Sequence, residues 1–189
     1  MSGTHPTDFA PLRFGPIPSK VVARETNMRP LHIYIETSVF GFLLDDTEVN
    51  RTKRETTERM FQQIDEGLLT GYVSDLVFAE LAVTPHLPSR DAMMERAYAL
   101  QILPQQNETD VDFLVDRYMA QRAFPEDKRD DAAHVAIVVL NPIIDALVSW
   151  NCRHLANEHN RRKLKALTLG EGYGFKFDII TPDEVILYE

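Results

Sequence analysis

Short unbroken apolar runs alternate along the chain with longer segments whose apolar residues recur about every 3.6 positions. The short runs predict five strands, at residues 31–35, 69–74, 102–103, 143–150 and 178–181. The periodic segments predict helices at residues 39–44, 52–66, 76–83, 89–100, 110–122, 130–140, 152–167 and 182–187. No hairpin signal joins two strands directly. This alternation predicts an α/β fold with three α/β/α layers around a five-stranded, mostly parallel sheet.

Two of these segments carry especially clear patterns. Residues 52–66 show a regular apolar stripe, and Gly67 is placed to end that helix. Residues 130–140 are apolar nearly all round, which is typical of a helix that is buried on several sides. His134 lies inside this second segment, and we expect it to be a hydrogen-bonded core histidine rather than a ligand.

Residues 1–30 differ from the rest of the chain. They contain five of the eleven prolines and no sustained periodicity, and they carry four basic against two acidic residues. We predict an N-terminal arm that is flexible or extended over the surface, followed by one domain at residues 31–189. The arm could pair with the more acidic domain or with a partner.

Composition narrows the class of protein. The chain has 189 residues, a hydrophobic content of 44%, and a formal charge of −9 that argues against a generic nucleic-acid coat protein. The single cysteine excludes a disulfide framework and a multi-cysteine zinc site. Because neither a leader pattern nor an apolar run of membrane-spanning length is seen, we expect a cytoplasmic protein without a membrane partner.

Four polar residues interrupt otherwise apolar elements at related places. Glu36 follows the first strand, Glu80 lies in the helix after the second strand, Asp131 opens the buried helix, and Asn151 follows the fourth strand. In a right-handed parallel fold, strand ends and the following helix starts share one edge of the sheet, which is where α/β proteins bind ligands. The sequence therefore predicts that these four residues form a site.

Carboxylates that converge must share protons, meet basic residues or hold a cation. Two carboxylates about 4 Å apart repel by roughly 4 kcal/mol at an effective dielectric constant near 20. A set of oxygen ligands suits Mg²⁺ or Mn²⁺ together with a phosphate substrate, and such a metal assists phosphodiester hydrolysis.

Each residue also has a purely structural interpretation. Glu36 could face the dipole of a helix as a first-turn residue, and Glu80 could point to solvent. Asp130 and Asp131 could both be helix caps. We predict that Asp130 is the cap and contacts the metal ligands rather than the metal, and that Asp131 faces inward as one of those ligands. Asn151 alone would most often be a turn residue.

The combination of motifs resembles the PIN-domain family, in particular the toxin-type PIN proteins of bacterial toxin–antitoxin modules. The resemblance covers residues 31–189 and is carried by IYIETSV at 33–39, SDLVFAEL at 74–81, DAAHVA at 131–136 and LVSWNCRHL at 147–155. The segment from residue 172 to residue 185, which ends in ITPDEV, is similar as well.

The resemblance implies a three-layer fold and an endoribonuclease that depends on Mg²⁺ or Mn²⁺ and hydrolyses RNA with a metal-activated water. Glu36, Glu80 and Asp131 would be the metal ligands, Ser38 would support them, and Asn151 would be a further catalytic residue. The partners implied are RNA, an antitoxin protein and a second copy of the chain. Two departures stand out: the family usually has aspartate where Glu36 stands, and Asn151 is neutral.

RNA binding would require cations near this edge. The densest basic stretch follows Asn151, and the candidate phosphate contacts are Arg153, Arg161, Arg162 and Lys163. A second candidate group is Arg51, Lys53 and Arg54. A solvated helix face explains the first group equally well, and phosphate contacts would not give sequence preference.

A second function remains open. The chain could keep the fold but act as a binding module, with weak or absent catalysis, through a protein partner. A phospho-acceptor receiver domain is excluded because Thr37 follows Glu36 and no aspartate follows the third strand. A dinucleotide-binding fold is excluded because the glycine-rich segment 170–174 comes late and opens no helix.

Overall fold

The structure is a computed structural model that describes residues 29–151, 155 and 157–187. The predicted N-terminal arm lies outside the described residues except for Arg29 and Pro30. Within the described part of the chain, no helix has the length and apolar character needed to cross a membrane.

Five strands form one sheet in which every strand pairing is parallel, as the alternation of elements predicts. The strands are β1 Leu31–Ile35, β2 Leu69–Val73, β3 Gln101–Ile102, β4 Ala146–Val148 and β5 Asp178–Ile180. Their order is β3-β2-β1-β4-β5, so β1 is the central strand. A mostly parallel sheet is predicted, and all four pairings among these strands are parallel.

Within the described residues, eight α-helices lie between and after the strands and complete the three-layer α/β/α fold. They are α1 Thr37–Leu43, α2 Arg51–Asp65, α3 Asp75–Ala82, α4 Leu87–Tyr98, α5 Glu108–Ala120, α6 Arg129–Val139, α7 Glu158–Gly170 and α8 Pro182–Val185. A short 3₁₀ turn, Glu48–Asn50, precedes α2. Gly67 follows α2 with a φ of 76°, a left-handed conformation that suits glycine and ends the helix as predicted.

The carboxyl-terminal half of the central strand is completely buried. Ile33, Tyr34 and Ile35 have no exposed surface, because β1 has a strand on each side and helices over both faces. Helix α6 is buried along most of its length, as its sequence predicts. The residues that immediately follow β1 are therefore anchored in the packed core.

Most helix starts differ from the predicted ones by one or two residues, and those of α6 and α7 bear on predicted site residues. Helix α6 begins at Arg129, after Lys128 at the cap position, so the prediction that Asp130 caps this helix is wrong. Arg129 takes the first helical position, and its guanidinium pairs with Asp116 of α5 at 2.8 Å. Helix α7 begins at Glu158, where the Asn157 side chain caps it by accepting from the Asn160 N–H at 2.9 Å. Residues 152–154 and 156, which the sequence assigns to this helix, lie outside the described residues.

A charged contact joins the start of β1 to the start of β4. The Arg29 guanidinium donates two hydrogen bonds of 2.8 Å to Asp145, and the His32 N–H donates to the same carboxylate at 2.9 Å. Burial raises the pKa of Asp145, but the bonds from Arg29 and His32 outweigh it and hold that pKa below its ordinary value. This contact fixes the register of the two strands that carry the site.

We predict that Asp145→Asn lowers the free energy of unfolding at pH 7 by about 1–2 kcal/mol, because it removes charge-assisted bonds that are partly open to solvent. Since the folded-state pKa of Asp145 is depressed, its contribution is present above the ordinary carboxyl pKa and is lost as the pH falls through the folded-state value. The difference between the two proteins should therefore shrink in acid. Urea unfolding at several pH values measures it.

The matched control is Asp91→Asn, which removes a carboxylate paired with Arg90 on the surface of α4. This variant should stay within about 0.5 kcal/mol of the parent at every pH, as exposed pairs contribute little. A loss at pH 7 that is equal for the two variants, or a difference that does not shrink in acid, would contradict the role given to Asp145.

Candidate metal site

Glu36 is both a helix cap and a buried carboxylate at the carboxyl end of the central strand. It occupies the N-cap position of α1, with extended backbone angles, and its side chain accepts from the Ser38 N–H at 3.1 Å. Only 6% of its surface is exposed. The structural and the functional interpretation of Glu36 are therefore compatible, because a cap residue at this position also directs its carboxylate to the carboxyl edge of the sheet.

Two serine hydroxyls orient the Glu36 carboxylate. Ser38 Oγ donates to Glu36 Oε2 at 2.5 Å, and Ser149 Oγ, which follows β4, donates to the same oxygen at 2.8 Å. The Trp150 N–H donates to Ser38 and the Asn151 N–H donates to Ser149, at 3.0 and 2.9 Å. The supporting position predicted for Ser38 agrees with these contacts, whereas Ser149 was not predicted.

Glu80 projects from α3 toward the residue after Glu36. Its Oε2 accepts from Thr37 Oγ1 and shares a hydrogen bond of 2.9 Å with His134 Nε2 of α6. The Glu80 side chain is about one quarter exposed, whereas His134 is completely buried. Glu80 is therefore held inside the fold rather than pointing to solvent as a surface helix residue would.

Glu36, Glu80 and His134 each offer one ligand atom such that these atoms all lie within 4.8 Å of one another. They come from the end of β1, from α3 and from α6, so three separate elements converge at one place. Among the described residues, no lysine or arginine forms an ion pair with Glu36 or Glu80. A divalent cation fits this set, because carboxylate oxygens and an imidazole nitrogen are all metal ligands.

Hydrogen bonds and burial compete in setting the protonation of this group. Burial raises the pKa of Glu80, but the bonds from His134 and Thr37 and the attraction of His134 outweigh it, so that pKa is lowered. Burial lowers the pKa of His134, but the bond to Glu80 and the charges of the surrounding carboxylates outweigh it, so that pKa is raised. Glu80 is therefore ionised at neutral pH.

His134 is tied to the core on its other side as well. Its Nδ1 shares a hydrogen bond of 2.7 Å with the Tyr34 hydroxyl, which in turn shares one of 2.7 Å with Ser74 Oγ. Burial raises the pKa of Tyr34 well above its ordinary value, so this hydroxyl stays protonated. The prediction of a hydrogen-bonded core histidine is confirmed, but the same residue also belongs to the metal-capable group.

Asp131 and Asn151 form a second pair beside this group. Asn151 Nδ2 donates to Asp131 Oδ2 at 2.9 Å. Asp131 lies one turn before His134 on α6 and contributes to its electrostatic environment. Asp131 is not among the three residues whose ligand atoms meet within 4.8 Å. The metal role predicted for Asp131 and the catalytic role predicted for Asn151 remain predictions.

Asp130 is exposed at the second position of α6 and does not cap the helix. The cap position belongs to Lys128, whose side chain makes no capping bond. As an acidic residue in the first turn, Asp130 still interacts favourably with the helix dipole.

The predicted RNA contacts on α7 are partly occupied by internal bonds. Arg161 donates to the Ile179 carbonyl at 2.8 Å, and Lys163 donates to the Arg122 carbonyl at 2.8 Å. Arg162 is largely exposed and pairs with Glu158 at 2.7 Å. Arg153 lies outside the described residues. Of the three that are described, Arg162 is the one placed to meet a ligand without breaking a contact to the core.

The second basic group, Arg51, Lys53 and Arg54, contains one residue, Lys53, that lies beside an aromatic residue next to Asn151. Lys53 Nζ lies 4.3 Å from the centre of the Phe42 ring and 5.2 Å from that of Trp150. Trp150 is the residue before Asn151, and its Nε1 donates to Thr57 at 2.9 Å. Arg51 pairs with Glu55 instead, at 2.8 Å.

A cavity of about 300 Å³ borders the site at Ser74, on the β3 side of the sheet. Its lining includes Asp75, Glu108 and Asp112 as well as apolar side chains such as Leu103. These three acids disfavour a phosphate group there. The phosphate of a substrate is therefore expected on the Lys53 side of the site instead.

Sequence reasoning missed His134 as a candidate ligand. One signal could have identified it, because His134 comes three residues after Asp131 and therefore lies on the same face of α6. The competing interpretation, a core histidine in an apolar helix, was equally consistent with the sequence.

We predict that saturating Mn²⁺ raises the unfolding temperature of the protein by roughly 5–10 °C, because a ligand at about 100 times its dissociation constant adds about 2.7 kcal/mol. Glu36→Gln and Glu80→Gln should remove this increase. Differential scanning calorimetry measures both effects.

The control is Glu95→Gln, an exposed residue of α4 that should keep the full increase. If Mn²⁺ stabilises Glu36→Gln and Glu80→Gln as much as it stabilises the parent, the cation binds elsewhere and this site is wrong.

Comparison with known proteins assigns neither a family nor a function to the chain. The chain matches no protein-family model and no curated protein sequence. The resemblance to PIN domains therefore stays a prediction from the four motifs. Function has to be inferred from the arrangement of the side chains at the edge of the sheet.

Proposed function

We propose that the protein is a metal-dependent ribonuclease of the PIN type, which hydrolyses RNA phosphodiesters at the carboxyl edge of its sheet. The observation that carries this proposal is the convergence of Glu36, Glu80 and His134 within 4.8 Å at the end of the central strand. Two carboxylates held this close, without an ion-paired lysine or arginine among the described residues, favour a bound cation.

Glu36 and Glu80 would hold the metal, with Asp131 at its border. When bound, a divalent metal supplies Lewis-acid stabilisation for charge that develops on phosphate oxygens and lowers the pKa of water. Mg²⁺ and Mn²⁺ are the metals proposed, because both accept carboxylate oxygens.

The chain's own residues hold the carboxylates in place before substrate arrives. Ser38 and Ser149 fix the rotamer of Glu36 through bonds to one oxygen, and Thr37 does the same for Glu80. Such fixed orientation lowers the reorganisation that the reaction requires. Asp131, paired with Asn151, adds negative charge at the border of the site.

Substrate phosphates would be attracted by a few local cations rather than by the net charge. Lys53 is suitable because its ammonium group lies over the rings of Phe42 and Trp150, and these cation–π contacts hold the positive charge at one place. Trp150 and Phe42 could also stack with an unpaired base, as aromatic side chains do in proteins that bind single strands.

A toxin role with an antitoxin partner and a homodimer is part of the same proposal. Several large apolar side chains on the β3 side are exposed, including Val83, Tyr98 and Ile102, at 78%, 63% and 51%. Exposed apolar residues on neighbouring elements support a protein partner for this side of the molecule. If catalysis is absent, this surface would support the alternative function, a PIN-like binding module.

We predict that the protein cleaves single-stranded RNA only when Mg²⁺ or Mn²⁺ is present, and that Glu80→Gln and Asp131→Asn each lower the rate at least about 100-fold, because each removes charge from the site. Gel analysis of a labelled RNA with and without EDTA measures the rate. Circular dichroism checks that both variants remain folded.

Glu95→Gln is the control and should cleave at the parental rate. Cleavage by the parent that does not exceed that by folded Asp131→Asn, with either metal, would contradict the ribonuclease and leave the binding module.

Lys53→Gln is expected to weaken RNA binding and to lower the slope of log affinity against log salt by about 0.7, the value for one phosphate contact on a single strand. Fluorescence anisotropy in the Glu80→Gln background measures binding without cleavage. The control is Lys176→Gln, an exposed lysine that precedes β5 at the opposite edge of the sheet. Equal losses in the two lysine variants would indicate general electrostatics and would contradict a local contact.

A further inference from the structure

His134 is the most unusual member of the candidate site. It is completely buried, it lies in a helix whose other described side chains from residue 132 to residue 139 are apolar, and both of its ring nitrogens have polar partners. These bonds place an imidazole nitrogen directly beside the Glu80 carboxylate, which is where a nitrogen ligand of a shared cation would lie.

The two ring nitrogens face different surroundings. Nε2 points to the partly exposed carboxylate of Glu80, one of the two glutamates of the group. Nδ1 points the other way, to the Tyr34 hydroxyl inside the core. A metal held by the two glutamates would therefore meet Nε2, with Nδ1 remaining bonded to the protein.

The Tyr34–Ser74 pair suits this arrangement because a hydroxyl both donates and accepts. When Nε2 donates to Glu80, Tyr34 can donate to Nδ1. When Nε2 is a ligand, Nδ1 must carry the proton, and Tyr34 can accept it while donating to Ser74. Partners of this kind hold the ring orientation and tautomer of metal-ligating histidines.

We propose that His134 is a nitrogen ligand of the metal, that Tyr34 and Ser74 position it through Nδ1, and that this nitrogen makes the site prefer Mn²⁺ to Mg²⁺. The inference rests on the metal site of the proposed function and concerns which metal that site selects.

The preference follows from the donor set. Mg²⁺ takes oxygen ligands in a near-octahedral arrangement and gives up its water reluctantly, whereas first-row transition metals accept imidazole readily. Glu36 and Glu80 alone would suit both ions. Replacing one oxygen position by the His134 nitrogen weakens the site for Mg²⁺ relative to Mn²⁺.

The test measures dissociation constants of Mn²⁺ and Mg²⁺ for the full chain by isothermal titration calorimetry, without RNA. The parent should bind Mn²⁺ at least about tenfold more tightly than Mg²⁺. His134→Gln, which offers an amide oxygen, should lose most of that preference. Tyr34→Phe should weaken Mn²⁺ binding by about tenfold, the lower end of what loss of such a partner costs, and should change Mg²⁺ binding less.

Tyr118→Phe is the matched control. Tyr118 is also completely buried and its hydroxyl shares a bond of 2.6 Å with Thr168, but it belongs to α5 and contacts α7 rather than the site. This variant loses a buried hydroxyl too, and its metal affinities should equal those of the parent.

Two results would overturn the inference. The first is equal affinity of the parent for the two ions, and the second is a Mn²⁺ affinity that Tyr34→Phe changes no more than Tyr118→Phe does. In either case, loss of binding in Glu80→Gln would preserve the metal site of the proposed function. If the parent binds neither ion, both the inference and that metal site fail.

Discussion

The main constraint on this molecule is that the carboxylate at the end of the central strand, Glu36, lies close to a second carboxylate, Glu80 of α3. Glu36 is almost completely buried, and Glu80 and His134 lie against it. A buried charge is tolerated only when hydrogen bonds or opposite charges compensate it. The hydroxyls of Thr37, Ser38 and Ser149 supply hydrogen bonds, but hydroxyls carry no net charge, so the negative charge of the pair is only partly balanced by His134.

The fold supplies these compensating groups from distant parts of the chain. Because β1 is central, its end is flanked by the ends of β2 and β4, which bring Ser74 and Ser149 to the two sides of the site. Helix α6 places His134 beneath Glu80. The Arg29–Asp145 contact at the opposite edge holds β1 and β4 in register and so keeps Ser149 opposite Glu36.

The sequence predicts the fold well because the pattern of elements is regular. The five strands and their parallel pairing follow from the alternation of elements. The start of α6 lies one residue before the predicted one, because the sequence does not distinguish which of the neighbouring polar residues takes the cap position. Cap residues such as Asn157 are difficult to identify from the sequence, because several neighbouring polar residues could each make the capping bond.

The site is predicted less completely, for a related reason. Glu36 and Glu80 interrupt apolar segments and so are visible in the sequence. Tyr34 lies inside a strand and Ser149 directly follows one, and only the pairing of β1 with β4 and the packing of α6 show what they contact. Hydrogen-bond partners across elements are set by register and packing angle, which one sequence does not specify.

The partial compensation of charge connects stability with function in this fold. If the hydroxyls and His134 balanced the glutamates fully, a cation would gain little by binding; if they were absent, the metal-free fold would carry two buried and unsatisfied carboxylates. The observed arrangement lies between these cases. The bonded carboxylate oxygens of Glu36 and Glu80 accept hydrogen bonds from hydroxyl groups, from a backbone N–H and from His134. Among the described residues, no lysine or arginine donates to them. In a site built this way, hydrogen bonds hold the carboxylates without a metal, and the remaining negative charge is what a cation would compensate.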